Sequence, residues 1–179
     1  LKMGISGYPT SDIVFENVRV HKSDLLGPLD KGYAVAMKTL DGGRLGVAAQ
    51  SLGLAQGCLD EAVKYAKERK QFGKPIGNNQ GISFMLADMA TEIAAARELI
   101  YSTAVAKDAG DKNASVMCSM SKYYATEMAN RVAAKAIQVH GGFIKDYKVE
   151  RLYRDARVMT LYEGTSQVQQ MVISRSLLK

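Results

Sequence analysis

The feature that most constrains this chain is a helical spacing of its apolar residues, which begins at Gly32 and continues almost to the end. After the first helix, the same spacing predicts a second helix over about 80–109 and a third over about 113–139. A short element near 149–156 and a last helix over about 166–178 follow. Four amphipathic helices joined by short links are typical of an antiparallel four-helix bundle. The sequence therefore predicts a mainly α fold.

Local signals predict where these helices end and begin. Gly110 follows the second helix, where glycine is the preferred C-cap, and Gly141 with Gly142 ends the third helix. Ser166 and Gln169 have the spacing of a capping box. We therefore expect the last helix to be capped by Ser166.

The first 30 residues have a different pattern. Ile13 and Phe15 alternate with Asp12, Val14 and Glu16, and this period of two predicts one or two short strands. Two strands alone are not stable in water, so they need the helices or further sequence to cover them. The chain starts with leucine rather than methionine, and its opening residues are typical of a loop inside a larger protein. We expect a fragment of a longer chain.

Composition excludes several classes of protein. Apolar residues make up 47% and charged residues 23%, as in an ordinary globular protein, and no apolar run is long enough for a membrane span. The net charge is +6, but the basic residues are scattered, so a phosphate-bearing cofactor fits the charge as well as nucleic acid does. The two cysteines and two histidines have no zinc-site or disulfide spacing. Reduced thiols indicate an intracellular protein.

Two segments near the first helix carry more glycines and charges than a helical bundle needs. Asp41–Arg44 contains adjacent glycines, which indicate either the close approach of a ligand or neighbouring backbone, or a break between two helices. In Glu68–Ile76, cations gather at a helix end. They either complement the helix dipole or, at Arg69, bind an anion such as a pyrophosphate.

Two further segments lie in the last third of the chain. The double glycine of Gln138–Phe143 is either a helix cap or a flat platform where backbone amides meet a ligand. We interpret His140 in this segment as structural, because it has no partner motif. In Leu161–Gln167, Glu163 either favours the dipole of the next helix or serves as a general base on a loop. Ser166 lacks a neighbouring base and is a poor candidate for a nucleophile.

These four segments, with Gln80–Ala90 among them, resemble the acyl-CoA dehydrogenase family, and most of all its short-chain, butyryl-CoA-type members. The resemblance covers essentially the whole chain. Residues 1–30 resemble the end of the family's middle β-domain, and residues 31–179 resemble its C-terminal helical domain. The resemblance implies an FAD-dependent enzyme that oxidises a short-chain acyl-CoA thioester to trans-2-enoyl-CoA.

The resemblance also implies roles for individual residues. Glu163 corresponds to the catalytic base, and some relatives carry that acid at the position of Gly43, which has no side chain here. The FAD contacts implied across a subunit interface are Arg69, Gln71, Phe72, Gln80, Gln138, Gly141 and Gly142. The FAD contacts implied within the same subunit are Thr165 and Gln167. The implied substrate contacts are Asp41, Arg44 and Gly164.

The implied partners are an acyl-CoA substrate, further copies of the chain in a dimer of dimers, and an electron-transferring flavoprotein that accepts electrons; no metal and no nucleic acid are implied. The implied location is the cytoplasm of a bacterium or the mitochondrial matrix of a eukaryote. Three positions depart from the family pattern: Ile144 replaces a glycine, Lys148 a proline and Gln170 an arginine. We expect these departures to affect loops and surface more than the site.

A second class of function stays open beside the enzyme. The chain could be a helical bundle that mediates subunit assembly and has no catalysis of its own. Bound flavin distinguishes the two, because a flavoprotein absorbs visible light and a bare bundle does not.

Overall fold

The computed structural model describes residues 2–178, and most of that range is α-helical. The helices are α1 (Gly32–Glu68), α2 (Gln80–Asp108), α3 (Ala114–His140), α4 (Val149–Met159) and α5 (Ser166–Leu177). Three 3-10 helices accompany them, at Lys22–Asp24, Ile76–Asn78 and Gly141–Asp146. The prediction of a mainly α fold is confirmed, and the short element expected near 149–156 is α4.

The long helices pack as an antiparallel bundle, because short links join consecutive helices. Side chains near the helix middles pair across the bundle: Arg97 of α2 donates to Gln56 of α1 over 2.9 Å, and Arg131 of α3 pairs with Glu92 of α2 over 2.7 Å. Helix α3 lies at the centre, in contact with all four other helices. The turn between α4 and α5 is thereby packed against α3.

Small residues dominate the core between α1 and α3, the pair with the most extensive contact. Seven fully buried alanines lie on the facing sides of these two helices: Ala48, Ala55, Ala62, Ala125, Ala129, Ala133 and Ala136. Alanine at these spacings lets two helix backbones approach closely. Met89 of α2 and Met128 of α3 belong to the same core cluster, and both are fully buried.

Helix α1 runs without interruption through Asp41–Arg44, so the alternative of a break between two helices is wrong. A Cβ added at Gly46 or Gly53 would meet no described atom within 4 Å, and one at Gly57 would meet only Leu152, at 3.8 Å. Glycine inside a helix often admits a close neighbouring backbone, but these three glycines do not do so among the described residues. Gly43 is the exception in α1, as described below.

The strands predicted around residues 12–20 do not form. Within residues 2–178 the sheet consists of one antiparallel hairpin, β1 (Lys70–Gln71) and β2 (Lys74–Pro75), in which Lys70 is paired with Pro75. Ile13 and Phe15 are 78% and 76% exposed. A period of two specifies a strand face, but a strand also needs a partner for its backbone, and no described element pairs with this segment.

The helix ends agree with the predictions except at α5. Gly110 (φ +69°) follows α2 and Gly141 (φ +60°) follows α3, both in the left-handed conformations that favour glycine. Helix α5 is capped by Thr165, whose side chain accepts from the Val168 N–H over 3.3 Å. The cap predicted at Ser166 is wrong because the Ser166 hydroxyl donates instead to Glu127 of α3.

No helix in residues 2–178 is long and apolar enough to cross a membrane. The same residues hold no group of three or more His, Cys, Asp or Glu side chains placed to bind a metal ion.

Candidate active site

Glu163 lies in the turn between α4 and α5, and its carboxylate rests against helix α1. A Cβ built on Gly43 would lie 2.6 Å from Oε2 and 3.2 Å from Oε1 of Glu163. The shorter distance is below any ordinary contact, so the carboxylate fills the space that a side chain at position 43 would need. The close neighbour expected at the double glycine is thus an acidic side chain.

One oxygen of this carboxylate has no partner. Oε2 of Glu163 is buried and makes no hydrogen bond with any described residue. A buried polar atom without a partner is destabilising by about 1–3 kcal/mol. Such an atom is poised to accept a proton from a molecule that enters the site, which is what a general base does.

The backbone of the turn is unusual as well. Glu163 has φ +54° and Gly164 has φ +89°, two consecutive residues in the left-handed region. A residue with a side chain seldom adopts such a φ, and its persistence requires support from the surroundings. A Cβ on Gly164 would lie 2.6 Å from Nε2 of Gln169. Glycine at position 164 therefore serves both the backbone angle and the packing.

Two fully buried side chains, Lys122 and Gln169, supply that support. Nζ of Lys122, on α3, donates to the Gly164 carbonyl over 2.8 Å. Nε2 of Gln169, on α5, lies 3.1 Å from the carbonyl oxygens of both Glu163 and Gly164. Burial lowers the pKa of Lys122 to about 8, although the charges of Glu127 and Glu163 act in the opposite direction.

Sequence reasoning missed both of these residues. Lys122 stands four residues after Cys118 and three before Ala125, and both of these are fully buried on α3. A lysine on an apolar helix face is the sequence signal that indicates such a residue, because an ammonium group is seldom buried unless it has a specific role. Gln169 was noticed only as part of a capping box.

The expected substrate contacts Asp41 and Arg44 flank Gly43 on α1. Arg44 is buried, and its Nη1 donates to Asp41 over 2.8 Å and to Ser119 of α3 over 3.4 Å. Nε of Arg44 has no partner among the described residues. The structure thus places Asp41 and Arg44 on α1 close to Gly43, which the Glu163 carboxylate contacts, and Gly164 directly after Glu163. The contact of these three residues with a substrate stays a prediction.

A second group of predicted residues gathers at the other end of α1. A shallow surface pocket there is lined by residues that include Arg69, Gln71, Gln138, Gly141 and Gly142. A Cβ on either glycine would meet no described atom within 4 Å, so the double glycine presents open backbone to the surface. The Arg69 guanidinium lies 5.2 Å from the centre of the Phe143 ring. A cation and an exposed glycine platform fit a nucleotide with a pyrophosphate.

The remaining predicted cofactor residues lie outside this pocket. Phe72 (φ +53°) and Gly73 (φ +77°) form the tip of the hairpin, as a two-residue turn with left-handed angles requires, and Phe72 is 94% exposed. Gln80 is the first residue of α2 and is exposed. Thr165 and Gln167 lie at the start of α5, beside Glu163 and far along the bundle from the pocket.

His140 is a core residue, as interpreted from the sequence. Its ring stacks on Tyr65 with 4.5 Å between ring centres, and Nδ1 lies 2.9 Å from the Ala136 carbonyl oxygen. The ring of Tyr147 packs against both, at 5.1 Å from Tyr65 and 4.8 Å from His140. Because His140 directly precedes Gly141, this aromatic cluster anchors the chain where the glycine platform begins.

A buried carboxylate within a helical bundle, with a separate pocket that presents a cation and open glycine backbone, defines a helical domain with an acidic site and a candidate anion site toward opposite ends of α1. The family model described as "Acyl-CoA dehydrogenase, C-terminal domain" matches residues 30–178. The chain therefore belongs to the acyl-CoA dehydrogenase family, and the resemblance to its short-chain members is confirmed.

Individual relatives agree with this assignment. The chain is 62% identical to the caffeyl-CoA reductase–Etf complex subunit CarC of Acetobacterium woodii, over 99% of this chain and 47% of that protein. It is 59% identical to a 3-(aryl)acrylate reductase of Clostridium sporogenes, over 99% and 48%. The solved structure of butyryl-CoA dehydrogenase from Megasphaera elsdenii superposes with a TM-score of 0.95 at 47% identity, over 99% of this chain and 47% of that one. The chain spans about half the length of these relatives.

Proposed function

We propose that this chain forms the catalytic helical domain of an FAD-dependent enzyme that oxidises the Cα–Cβ bond of a short-chain acyl-CoA thioester to the trans-2-enoyl thioester. The observation that carries the proposal is the Glu163 carboxylate, which is wedged against Gly43 with a buried and unpartnered Oε2. Membership of the acyl-CoA dehydrogenase family supports it.

Glu163 is the base in this proposal. The α-proton of a thioester is weakly acidic, so its removal needs a nearby carboxylate and a stabilised negative charge on the thioester carbonyl. Oε2 of Glu163 accepts the proton, and the start of α5, which carries partial positive charge, lies directly after the turn. The departure of a hydride from Cβ needs an acceptor, which is the chemistry that FAD supplies when bound.

The residues proposed to bind FAD fall into two sets that one chain cannot bring to one cofactor. Thr165 and Gln167 lie beside Glu163, which contacts Gly43, whereas Arg69 and the glycine platform lie at the far end of α1. At 1.5 Å per residue the distance from Gly43 to Arg69 along α1 is about 39 Å. That is longer than one dinucleotide, so each FAD is shared between two chains. A homo-oligomer follows, with a dimer as its minimum unit.

Complementation tests this shared site. The full-length gene product with Glu163→Gln lacks the base, and the one with Arg69→Ala lacks the pyrophosphate contact. When the two variants are co-expressed, a mixed dimer has one site with both defects and one site with neither. We expect activity well above that of either variant alone. Activity no higher than the average of the two variants would place both residues in the same chain's site.

A reductive direction is the second candidate. Two of the relatives named above are called reductases, and a third relative, 49% identical over 99% of this chain, is called an acryloyl-CoA reductase (NADH), from Anaerotignum propionicum. In that direction Glu163 carries the proton and delivers it to Cα. The same geometry serves both directions, so the direction depends on the redox partner.

CarC is named as part of an Etf complex, which supports an electron-transferring flavoprotein as that partner. The bacterial origin of these relatives supports the cytoplasm as the location.

The deciding experiment uses the purified full-length gene product. We expect a flavin spectrum that bleaches when butyryl-CoA is added without oxygen, and that recovers when crotonyl-CoA is added in excess. Glu163→Gln should keep the flavin and the thioester affinity but lose bleaching by a factor of ~10²–10⁴. Glu98→Gln, an exposed acid on α2, is the matched control and should bleach at the parent rate. A protein that purifies as a stable oligomer without flavin, and takes up none, would instead support the non-catalytic assembly role.

A further inference from the structure

Lys122 is the most unusual ionisable residue of the bundle. Among the lysines that the structure describes, it alone is fully buried, and its ammonium group forms no ion pair with any described carboxylate. Its Nζ donates a hydrogen bond to a backbone carbonyl, that of Gly164. Burial of an ammonium group is expensive, and a single neutral acceptor offsets only part of that free energy. The position of this residue therefore calls for a functional reason.

The carbonyl that Lys122 holds is the one that follows the catalytic turn. Glu163 and Gly164 both have positive φ, and a non-glycine residue such as Glu163 stays in that conformation only when its surroundings enforce it. Gln169 also contacts the turn, but it belongs to α5, which the turn itself begins. Lys122 belongs to α3, so its bond ties the turn to the scaffold of the bundle.

The connection through α3 determines where the Glu163 carboxylate lies. Helix α3 packs against α1 along the alanine-lined core, and α1 carries Gly43. The Glu163 carboxylate fills the space above Gly43. The hydrogen bond from Lys122 to Gly164, the residue after Glu163, thus connects α3 to the reacting carboxylate. The packing of α3 against α1 fixes the position of Lys122 relative to Gly43.

We propose that Lys122 is a positioning residue for Glu163: its bond to the Gly164 carbonyl fixes the left-handed turn so that Oε2 faces the α-carbon of the substrate. Lys122 does not touch the substrate. The proposal rests on the proposed function, because it takes Glu163 as the base.

The charged groups that face Lys122 are known from the structure. Glu127 is on its own helix and accepts from Ser166, Glu163 is in the turn, and Arg44 is on α1. Burial lowers the pKa of Lys122 to about 8, with Arg44 acting in the same direction and the two glutamates opposing it. Above that pH the bond to Gly164 loses its charge, and hydrogen bonds from charged donors are roughly twice as strong as neutral ones.

The first test replaces Lys122 with methionine in the full-length holoenzyme, which keeps the length of the side chain and removes the donor. We expect kcat for butyryl-CoA to fall roughly 10- to 100-fold, since a misplacement of about 1 Å can have an effect of that size. FAD content and KM should stay within about twofold, because no binding group is lost. Lys135→Met on the same helix, whose parent lysine pairs with Asp88 and Glu92 near the surface, is the control and should change neither constant.

The second test isolates proton transfer from flavin chemistry. Acetyl-CoA has α-protons but no Cβ, so the site can only exchange its α-protons with solvent deuterium. Lys122→Met should slow this exchange by the same factor as kcat, and Glu163→Gln should abolish it. In the parent enzyme the exchange rate should decline above pH about 8, whereas a simple carboxylate base would give a plateau.

The outcomes separate the two proposals. Parent kcat and parent exchange in Lys122→Met, with Glu163→Gln inactive, overturn the positioning role and leave the proposed function intact. Exchange that persists in Glu163→Gln overturns the proposed function itself. If Lys122→Met does not fold, Lys122→Gln keeps a shorter neutral donor and should show an intermediate exchange rate without the decline above pH 8; a parent rate with the parent pH profile in that variant also overturns the positioning role.

Discussion

Oε2 of Glu163 lies 2.6 Å from the point where a side chain on Gly43 would begin, so the two positions share a single space. Gly43 is in the interior of α1, where glycine destabilises a helix by up to about 1 kcal/mol relative to alanine. The helix accepts this loss where the carboxylate needs room. This relationship leads to a direct prediction about alanine at position 43.

Gly43→Ala should lower activity while leaving the bundle folded. The new methyl group pushes the Glu163 carboxylate away from its place, and we expect kcat to fall roughly 10- to 100-fold. Gly46→Ala, one turn along the same helix with no described atom within 4 Å of its Cβ, is the control. It should keep full activity and raise the melting temperature slightly. Equal activity in the two variants would show that the carboxylate does not need this space.

The shared space also predicts how the base can be moved. In the full-length gene product, Glu163→Gly with Gly43→Glu puts a carboxylate into the same volume from α1, and it should recover part of the flavin bleaching that Glu163→Gly alone loses. Glu163→Gln with Gly43→Glu should recover none, because the glutamine still fills the volume. Anaerobic bleaching by butyryl-CoA measures both. Equal recovery in the two double variants would contradict the shared volume.

Much of the fold could be predicted from the sequence, because helical periodicity and glycine caps are local signals. The bounds of α2 and α3 agree with the predicted helices to within about a residue. The strands around residues 12–20 could not be settled this way, since a strand depends on a partner distant in the sequence. The same applies to the cap of α5, where Ser166 is engaged by Glu127 from another helix.

The candidate site, like the fold, could be predicted from the sequence only in part. The residues themselves indicate Glu163 as a candidate base and the double glycine at Gly43 as a close approach, the family resemblance relates the two positions, and the structure shows their contact. Lys122 and Gln169 were not found, because their partners are backbone carbonyls, which leave no mark in a sequence motif. A lysine at a buried helical position is the one signal that a sequence offers for such a role.

Arg69→Ala should weaken the binding of FAD without affecting the base. The Arg69 guanidinium lies beside the open glycine platform and is available to a pyrophosphate. A charge-assisted contact contributes roughly 1.5–3 kcal/mol, so FAD affinity should fall about 10- to 100-fold. Flavin retained after dialysis of the full-length protein measures the effect. Arg131→Ala removes a surface ion pair with Glu92 and should retain flavin like the parent. Equal retention in both variants would remove Arg69 from the FAD site.

The titration of Lys122 predicts a pH dependence of stability. Burial lowers its pKa from an ordinary value of 10.5 to about 8 in the folded protein. Between these values the unfolded chain holds a proton that the folded chain has released, so rising pH favours the folded state. The stability of the parent relative to Lys122→Met should therefore increase from pH 8 to pH 10.5 and stay constant below about pH 7. Urea unfolding of both proteins at pH 7, 9 and 10 measures this difference.

Comparison with the variant removes the opposing contribution of Cys58, whose pKa is raised to about 12 by burial and is common to both proteins. A difference that stays flat or shrinks with pH would mean that Lys122 keeps its ordinary pKa in the folded state, and that its ammonium group is solvated rather than held against Gly164.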